Sequence, residues 1–145
     1  MFINEEKGDI FELDKTTYTR CICISKDCAM GAGIAKQFKD MYPTLPNRLL
    51  ETIKEYNPKI PFCIYIEDIN LAVLVTKEKY WNLPNTDNMF TVLNMLKNTC
   101  IKGNINNLAM NKLGCTLDKQ KWSVIKGYIN DIFEDTDINI EVRYL

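Results

Sequence analysis

A β-type run, Tyr18 to Ile24, passes through Ser25-Lys26-Asp27-Cys28-Ala29-Met30-Gly31-Ala32-Gly33 into a helix-type run that begins Ile34-Ala35-Lys36-Gln37-Phe38. This strand, glycine turn and helix restrict the chain's folds more than any other feature. Glycine reaches φ > 0 and admits a ligand where a Cβ would stand in the way. The helix behind the turn opens with unpaired N–H groups, a natural site for an anion. The same glycines also serve a tight connection with no ligand, and the junction alone does not choose between the two.

The alternation continues along the chain. Strands are expected at 2–7, 18–24, 62–67, 70–76, 107–110 and 138–144, with the third and fourth joined as a hairpin by Asp68-Ile69. The first helix is expected from Gly33 to Tyr42, stopped by Pro43, with Ile34, Phe38 and Met41 on its inner face. Pro46 opens the second, which buries Leu49, Leu50 and Ile53. A third begins at a cap on Thr86 or Asp87, buries Met89, Leu93, Leu96 and Cys100, and ends with Gly103 at C′. The fourth runs from about Lys119 to Phe133, with Trp122, Ile125, Ile129 and Phe133 inward. Strands alternating with helices, interrupted by one hairpin, imply an α/β fold: a mixed sheet with helices on both faces. In such sheets ligands bind where loops leave the carboxyl ends of strands. Two glycine-bearing loops qualify, Ser25 to Gly33 and Asn111 to Asp118.

Composition narrows the chemistry. The 145 residues fit one domain, 1–145, and the net charge of -1 gives no footprint for wholesale nucleic-acid or membrane binding. No apolar run reaches membrane-spanning length and Met1-Phe2-Ile3-Asn4-Glu5-Glu6 is no signal peptide, so a cytoplasmic setting is expected. Six cysteines form no CxxC, and with no histidine present neither a metal site nor a histidine base is expected. Catalysis here has carboxylate, lysine, cysteine or water to work with. Reduced, buried thiols are the expected state, and Cys28 or Cys115 as a nucleophile lacks a neighbouring base.

Four motifs then stand in register: Gly8-Asp9-Ile10-Phe11, Cys28-Ala29-Met30-Gly31-Ala32-Gly33-Ile34-Ala35, Thr76-Lys77 and Leu113-Gly114-Cys115-Thr116-Leu117-Asp118. In order and spacing the chain resembles the macro domains over nearly its whole length. The closest branch is that of the terminal ADP-ribose protein glycohydrolase and the DNA-ADP-ribosyl glycohydrolase antitoxins. The resemblance implies a three-layer α/β/α macro-domain fold with a central mixed β-sheet and an ADP-ribose cleft at its top. By position, Asp9 and Ile10 hold the adenine, while Ser25, Met30, Gly31, Ala32, Gly33 and Ile34 line the distal ribose and diphosphate. Gly114, Cys115, Thr116 and Leu117 grip the diphosphate from the other side through backbone N–H groups.

Lys77 and Asp118 match the catalytic pair of this branch. The bond to be broken lies at the anomeric carbon C1″, and a neutral amine adds there to give a Schiff-base-type intermediate. Asp118 then moves protons as general acid and base. Without the resemblance, Lys77-Glu78-Lys79 reads as a solvated strand end and Asp118 as a helix cap. Some positions depart from the branch: Asn111 replaces a proline, Thr116 a glycine, Ala29 an arginine and Ile22 a histidine, and the C-terminal aromatic Tyr144 is offset by one. These departures bear on affinity and substrate choice rather than on the lysine–aspartate pair.

The implied activity is hydrolysis of ADP-ribose from acidic protein side chains, with O-acetyl-ADP-ribose deacetylation at the same centre. The alternatives are hydrolysis of ADP-ribosylated DNA, removal of phosphate from ADP-ribose-1″-phosphate, and ADP-ribose reading without turnover. The expected partners are ADP-ribose and an ADP-ribosylated protein or DNA. No cofactor, metal or membrane is expected, and the chain is expected to be a monomer. Its asparagine, lysine and isoleucine content hints at an AT-rich source, which for a virus means the host cytoplasm or nucleus.

Overall fold

The computed structural model describes residues 1–115 and 120–145. Six strands, β1 (Phe2–Lys7), β2 (Thr19–Ser25), β3 (Phe62–Ile66), β4 (Leu71–Lys77), β5 (Asn107–Met110) and β6 (Asn139–Tyr144), form one sheet in the order β1-β6-β5-β2-β4-β3. Every neighbouring pair is parallel except β3 with β4, so the sheet is mixed, as the sequence implies. Four helices pack against it: α1 (Gly33–Met41), α2 (Leu45–Tyr56), α3 (Thr86–Gly103) and α4 (Trp122–Phe133).

The strand period of two divides the core cleanly. Cys21, Ala72, Leu74, Leu108, Met110, Ile140 and Val142 face α3 and α4, where they meet Met89, Leu93, Leu96, Ile125, Ile129 and Phe133. Ile22, Ile24, Leu71, Val73 and Val75 point the other way, onto Phe38 of α1 and Leu45, Leu49 and Ile53 of α2. Among the described residues, the second face is covered by helices over β2, β4 and β3. At its β1–β6 end it is polar: Asn4 donates to Glu141 at 2.9 Å, and Arg143 pairs with Glu6 at 3.2 Å and Glu141 at 2.6 Å. No helix among the described residues is long and apolar enough to cross a membrane.

Several local expectations are corrected. Met41 and Leu50 are exposed rather than inward. Leu50 follows Leu49 by one residue, about 100° round the helix, so only one of the two can face the sheet. Met41 closes a helix of nine residues that packs through Phe38. The cap of α3 is Asn85, whose side chain accepts the Asp87 N–H at 2.7 Å, not Thr86 or Asp87. The left-handed residue ending α3 is Asn104 (φ 54), with Gly103 still helical. Asparagine tolerates that conformation because its short amide can bond locally. The N-cap of α4 is Lys121. The expected start of this helix at Lys119 lies outside the described residues.

Candidate functional site

The five parallel strands end at one edge of the sheet. Read along the strand order, that edge carries Gly8-Asp9 after β1, Tyr144 at the end of β6, the Asn111 loop after β5, the Ser25–Gly33 loop after β2 and Lys77 at the end of β4. The described parts of four sequence motifs far apart in the chain therefore lie along one rim, where α/β sheets bind ligands.

The loop after β2 takes up unusual backbone, anchored by buried Cys28 and Met30. Cys28 (φ 55), Met30 (φ 47) and Gly33 (φ 61) are all left-handed. Of the two glycines, only Gly33 has that requirement. Gly31 has nothing within 4 Å of where a Cβ would stand, so its share is open space above the loop. Met30 is 4% exposed and packs into the α1–α2 core, so it anchors the turn from below, while Gly31, Ala32 and Gly33 are exposed. Ala32 is the N-cap of α1 and supplies no side-chain hydrogen bond. The first N–H groups of α1 are left to solvent or a ligand, as the sequence leads one to expect. Ile34 is half-buried beside them.

Asp27 fixes this loop. Its carboxylate accepts the Ser25 hydroxyl, the Ala29 N–H at 3.3 Å and the Tyr80 N–H at 3.2 Å. Burial acts to raise its pKa, but these hydrogen bonds and the nearby Lys79 hold it below the usual carboxylate range. Sequence reasoning missed Asp27. A signal was present, since an aspartate two residues after a strand-end serine commonly bonds its own turn.

Ser25 and Lys77 are register partners across β2 and β4, at a bulge between Ile24 and Ser25. The Lys26 N–H donates to the Lys77 carbonyl at 2.8 Å and the Asp27 N–H to the Glu78 carbonyl at 3.2 Å. The β2 loop and the end of β4 are therefore laced together, with Lys77 half-buried at their junction.

At the other end of the rim, Asp9 caps a short 3₁₀ turn, Ile10–Glu12, by accepting the Phe11 N–H at 2.9 Å. Its carboxylate is exposed and Ile10 is buried at 5%. The turn is seated by Phe11, which packs on Phe38 at 4.9 Å between centroids. Below them lies Arg20, buried at 2%, its guanidinium 5.6 Å and 5.1 Å from the two ring centroids. Tyr144 lies beside this turn, its carbonyl accepting the Gly8 N–H at 2.8 Å. The Lys112 ammonium stands 4.2 Å from the centre of the Tyr144 ring, which engages that ring in a cation–π contact.

Between these ends, Gly114 has φ 71, and a Cβ there would lie 3.2 Å from Cγ of Gln120. The Gln120 N–H donates to the Gly114 carbonyl at 2.9 Å, and its side-chain amide donates to the Pro84 carbonyl at 3.2 Å. Gln120, also missed from sequence, ties the β5 loop to the start of α3. Cys115 is half-buried, with its thiol toward the Leu113 carbonyl at 3.3 Å. Thr116, Leu117 and Asp118, three of the expected site residues, lie outside the described residues.

None of the six cysteines is joined in a disulfide. Burial pushes the Cys28 thiol up to about 11 and raises that of Cys115, which leaves both protonated and poorly nucleophilic near neutrality. No group of three or more metal-ligating side chains is found among the described residues.

A cavity of about 700 Å³ lies at the opposite edge, where Thr19 and Asn107 begin their strands. Its polar groups bond to one another: Asn70 Oδ1 accepts from Thr19 at 2.6 Å and from Tyr65 at 2.8 Å, and its amide donates to the Lys15 carbonyl at 2.9 Å. A smaller cavity of about 310 Å³ adjoins Lys77. Size alone does not identify a site; the convergence of strand ends marks the candidate.

No protein-family model matches the chain. A Homo sapiens protein named ADP-ribose glycohydrolase OARD1 is 33% identical over 139 residues, spanning 96% of this chain and 89% of that protein. A Bos taurus protein of the same name is 32% identical over the same extent. Among solved structures, the macrodomain of Mycobacterium tuberculosis DarG superposes with a TM-score of 0.84 at 18% identity, covering 99% of this chain and 98% of that one. Thermosipho africanus DarTG, solved in complex with ADP-ribose, superposes at 0.82 with 18% identity, over 98% of this chain and 41% of that chain. With the mixed six-stranded sheet, these likenesses fix the fold and the family: the chain has the macrodomain fold and belongs to the macro domain family of the ADP-ribose glycohydrolase OARD1 proteins.

Proposed function

We infer that this chain is an ADP-ribosyl glycohydrolase: it binds ADP-ribose along the strand-end rim and releases it from modified macromolecules. The likeness to proteins named ADP-ribose glycohydrolase over 96% of the chain supports the activity. The observation that carries the mechanism is Lys77, half-buried at the end of β4 in register with Ser25 and laced to the glycine loop.

The ligand lies with its adenine at Asp9 and Ile10 and its diphosphate over the open N-terminus of α1 and the Gly114 loop. C1″ of the distal ribose comes to Lys77. With an ester to an acidic side chain as substrate, the Nζ lone pair forms a bond to C1″ as the C1″–O bond breaks, and the carboxylate leaves with that electron pair. Asp118 takes a proton from the nitrogen and passes it to the ring oxygen as the ribose ring opens, leaving a protonated imine. Water adds to C1″, and collapse of the adduct returns the lysine amine and free ADP-ribose.

The test is release of ADP-ribose from a glutamate-ADP-ribosylated protein and from ADP-ribosylated DNA. Wild type is expected to release it, with the protein ester as the better substrate. Lys77→Ala and Asp118→Ala should each lower kcat by at least a hundredfold while ADP-ribose binding in calorimetry stays within a fewfold. Binding without release by the wild type would make the chain a reader.

A further inference from the structure

The rim does not end at Lys77. In the strand order β1-β6-β5-β2-β4-β3, the adenine, diphosphate and distal-ribose positions fall successively over β1, over β5 with β2, and at the end of β4. The next position, over β3, is the cavity of about 310 Å³, to which Lys77 itself contributes. It is walled by Ile60, which leads into β3, by Thr76, and by Asn82, Asn85 and Asn88 from the loop and first turn leading into α3. We propose that this cavity is the leaving-group subsite, shaped for the carboxyl end of an acidic side chain on a polypeptide; this rests on the role of Lys77 given above.

Two observations favour that occupant. First, Thr76 is 1% exposed, yet its hydroxyl has no hydrogen-bond partner among the described residues. A buried hydroxyl without a partner is costly, and an arriving acceptor would satisfy it. Second, two of the asparagines have spent their acceptors. Asn82 Oδ1 takes the Lys79 N–H at 3.0 Å and Asn85 Oδ1 takes the Asp87 N–H at 2.7 Å. Their amide N–H₂ groups are the ends that remain, so the cavity wall is rich in donors beside Lys77. A carboxyl ester and the carboxylate it becomes offer only acceptors, matching that wall. A nucleobase edge, which mixes donors with acceptors, matches it less well.

The rim of the cavity suits a polypeptide as well. Tyr80, Trp81 and Leu83 are 62%, 66% and 61% exposed, and the two rings meet edge to face at 5.0 Å. Their loop is held from beneath by the Tyr80 N–H bond to Asp27 at 3.2 Å and the Asn82 N–H bond to the Lys79 carbonyl at 3.0 Å. A fixed apolar ledge next to a donor-lined hole fits side chains flanking a modified glutamate or aspartate. Glu78 also borders the cavity and is exposed. Its charge opposes a departing carboxylate, so Glu78→Gln should raise kcat/KM for such a substrate.

The deciding experiment pairs kinetics with a binding signal. Thr76→Val and Asn88→Leu are combined, and kcat/KM is measured on a glutamate-ADP-ribosylated peptide beside the affinity for free ADP-ribose. The expected result is a drop of about tenfold to a hundredfold with ADP-ribose affinity unchanged. In parallel, the wild-type side-chain amides are followed by NMR with ADP-ribose bound, while the unmodified glutamate peptide or an oligonucleotide is added. The peptide should shift the amides of Asn82, Asn85 and Asn88, and this needs no turnover, so it reads the cavity even if the hydrolase reading fails. Wild-type kcat/KM in the double variant, or amides that move with the oligonucleotide and not the peptide, would overturn the proposal. Should the double variant not fold, Asn88→Leu alone, on the half-buried first turn of α3, carries the same prediction at a smaller drop.

Discussion

Gly114 shows how much of the site depends on single backbone positions. At φ 71 a side chain is strained whatever room it has, and here the nearest atom to a new Cβ is only 3.2 Å away. Gly114→Ala should cost about 1 kcal/mol of stability and weaken ADP-ribose binding about tenfold by displacing the loop, as read by urea unfolding and calorimetry. Gly31 is the contrast. It lacks a positive φ and faces open space, so Gly31→Ala should leave stability unchanged and act only on the bound ligand. The glycines were legible in the sequence as a pair, but their separate duties were not. The left-handed Cys28 and Met30 were not legible at all, because side chains buried by tertiary packing pull the turn into that shape. Asp9 bonds its own turn and stands exposed on the rim.

At the scale of elements, the site is two strand ends clamped by one carboxylate. Asp27 gathers hydrogen bonds from its own loop and from Tyr80 after β4, so it sets the distance between the glycine loop and Lys77. Asp27→Ala should destabilise the protein by about 2 kcal/mol, since it removes charge-assisted hydrogen bonds, and should lower ADP-ribose affinity with it. Because the folded state holds this carboxyl below its ordinary value, the stability it lends is present above about pH 4 and fades as pH falls further. A urea midpoint measured at pH 6 and pH 3.5 in wild type and variant reads that difference. Most elements were foreseen within one or two residues, because the β-type runs and the helical stripes are long and regular. What escaped was set at element ends, where Asn85 and Asn104 took the capping roles assigned to Thr86, Asp87 and Gly103. A cap is chosen by which side chain meets a free N–H or carbonyl, and neighbouring polar residues look alike in sequence.

The whole molecule is a sheet used along its full width, with one rim carrying chemistry and the two faces carrying stability. Cys63 and Cys100 belong to the faces. Burial, the leading cause in each case, lifts Cys63 to about 11 and Cys100 to about 12, from an ordinary 9.0. The folded state thus holds these protons more tightly than the unfolded chain. Their contribution is complete below about pH 9 and is lost as pH rises toward 12, so the urea midpoint should fall between pH 8 and pH 10.5. Cys100→Ala and Cys63→Ala should each flatten that dependence. The proposed mechanism rests on Lys77 more than on any other residue, and one measurement addresses it directly. Wild-type protein turning over a glutamate-ADP-ribosylated substrate would be quenched with borohydride, digested and mapped by mass spectrometry. A reduced ADP-ribose adduct on Lys77, absent from Lys77→Ala, is the predicted result. ADP-ribose released at full rate with no adduct on any lysine would contradict the imine route and return Lys77 to a binding role.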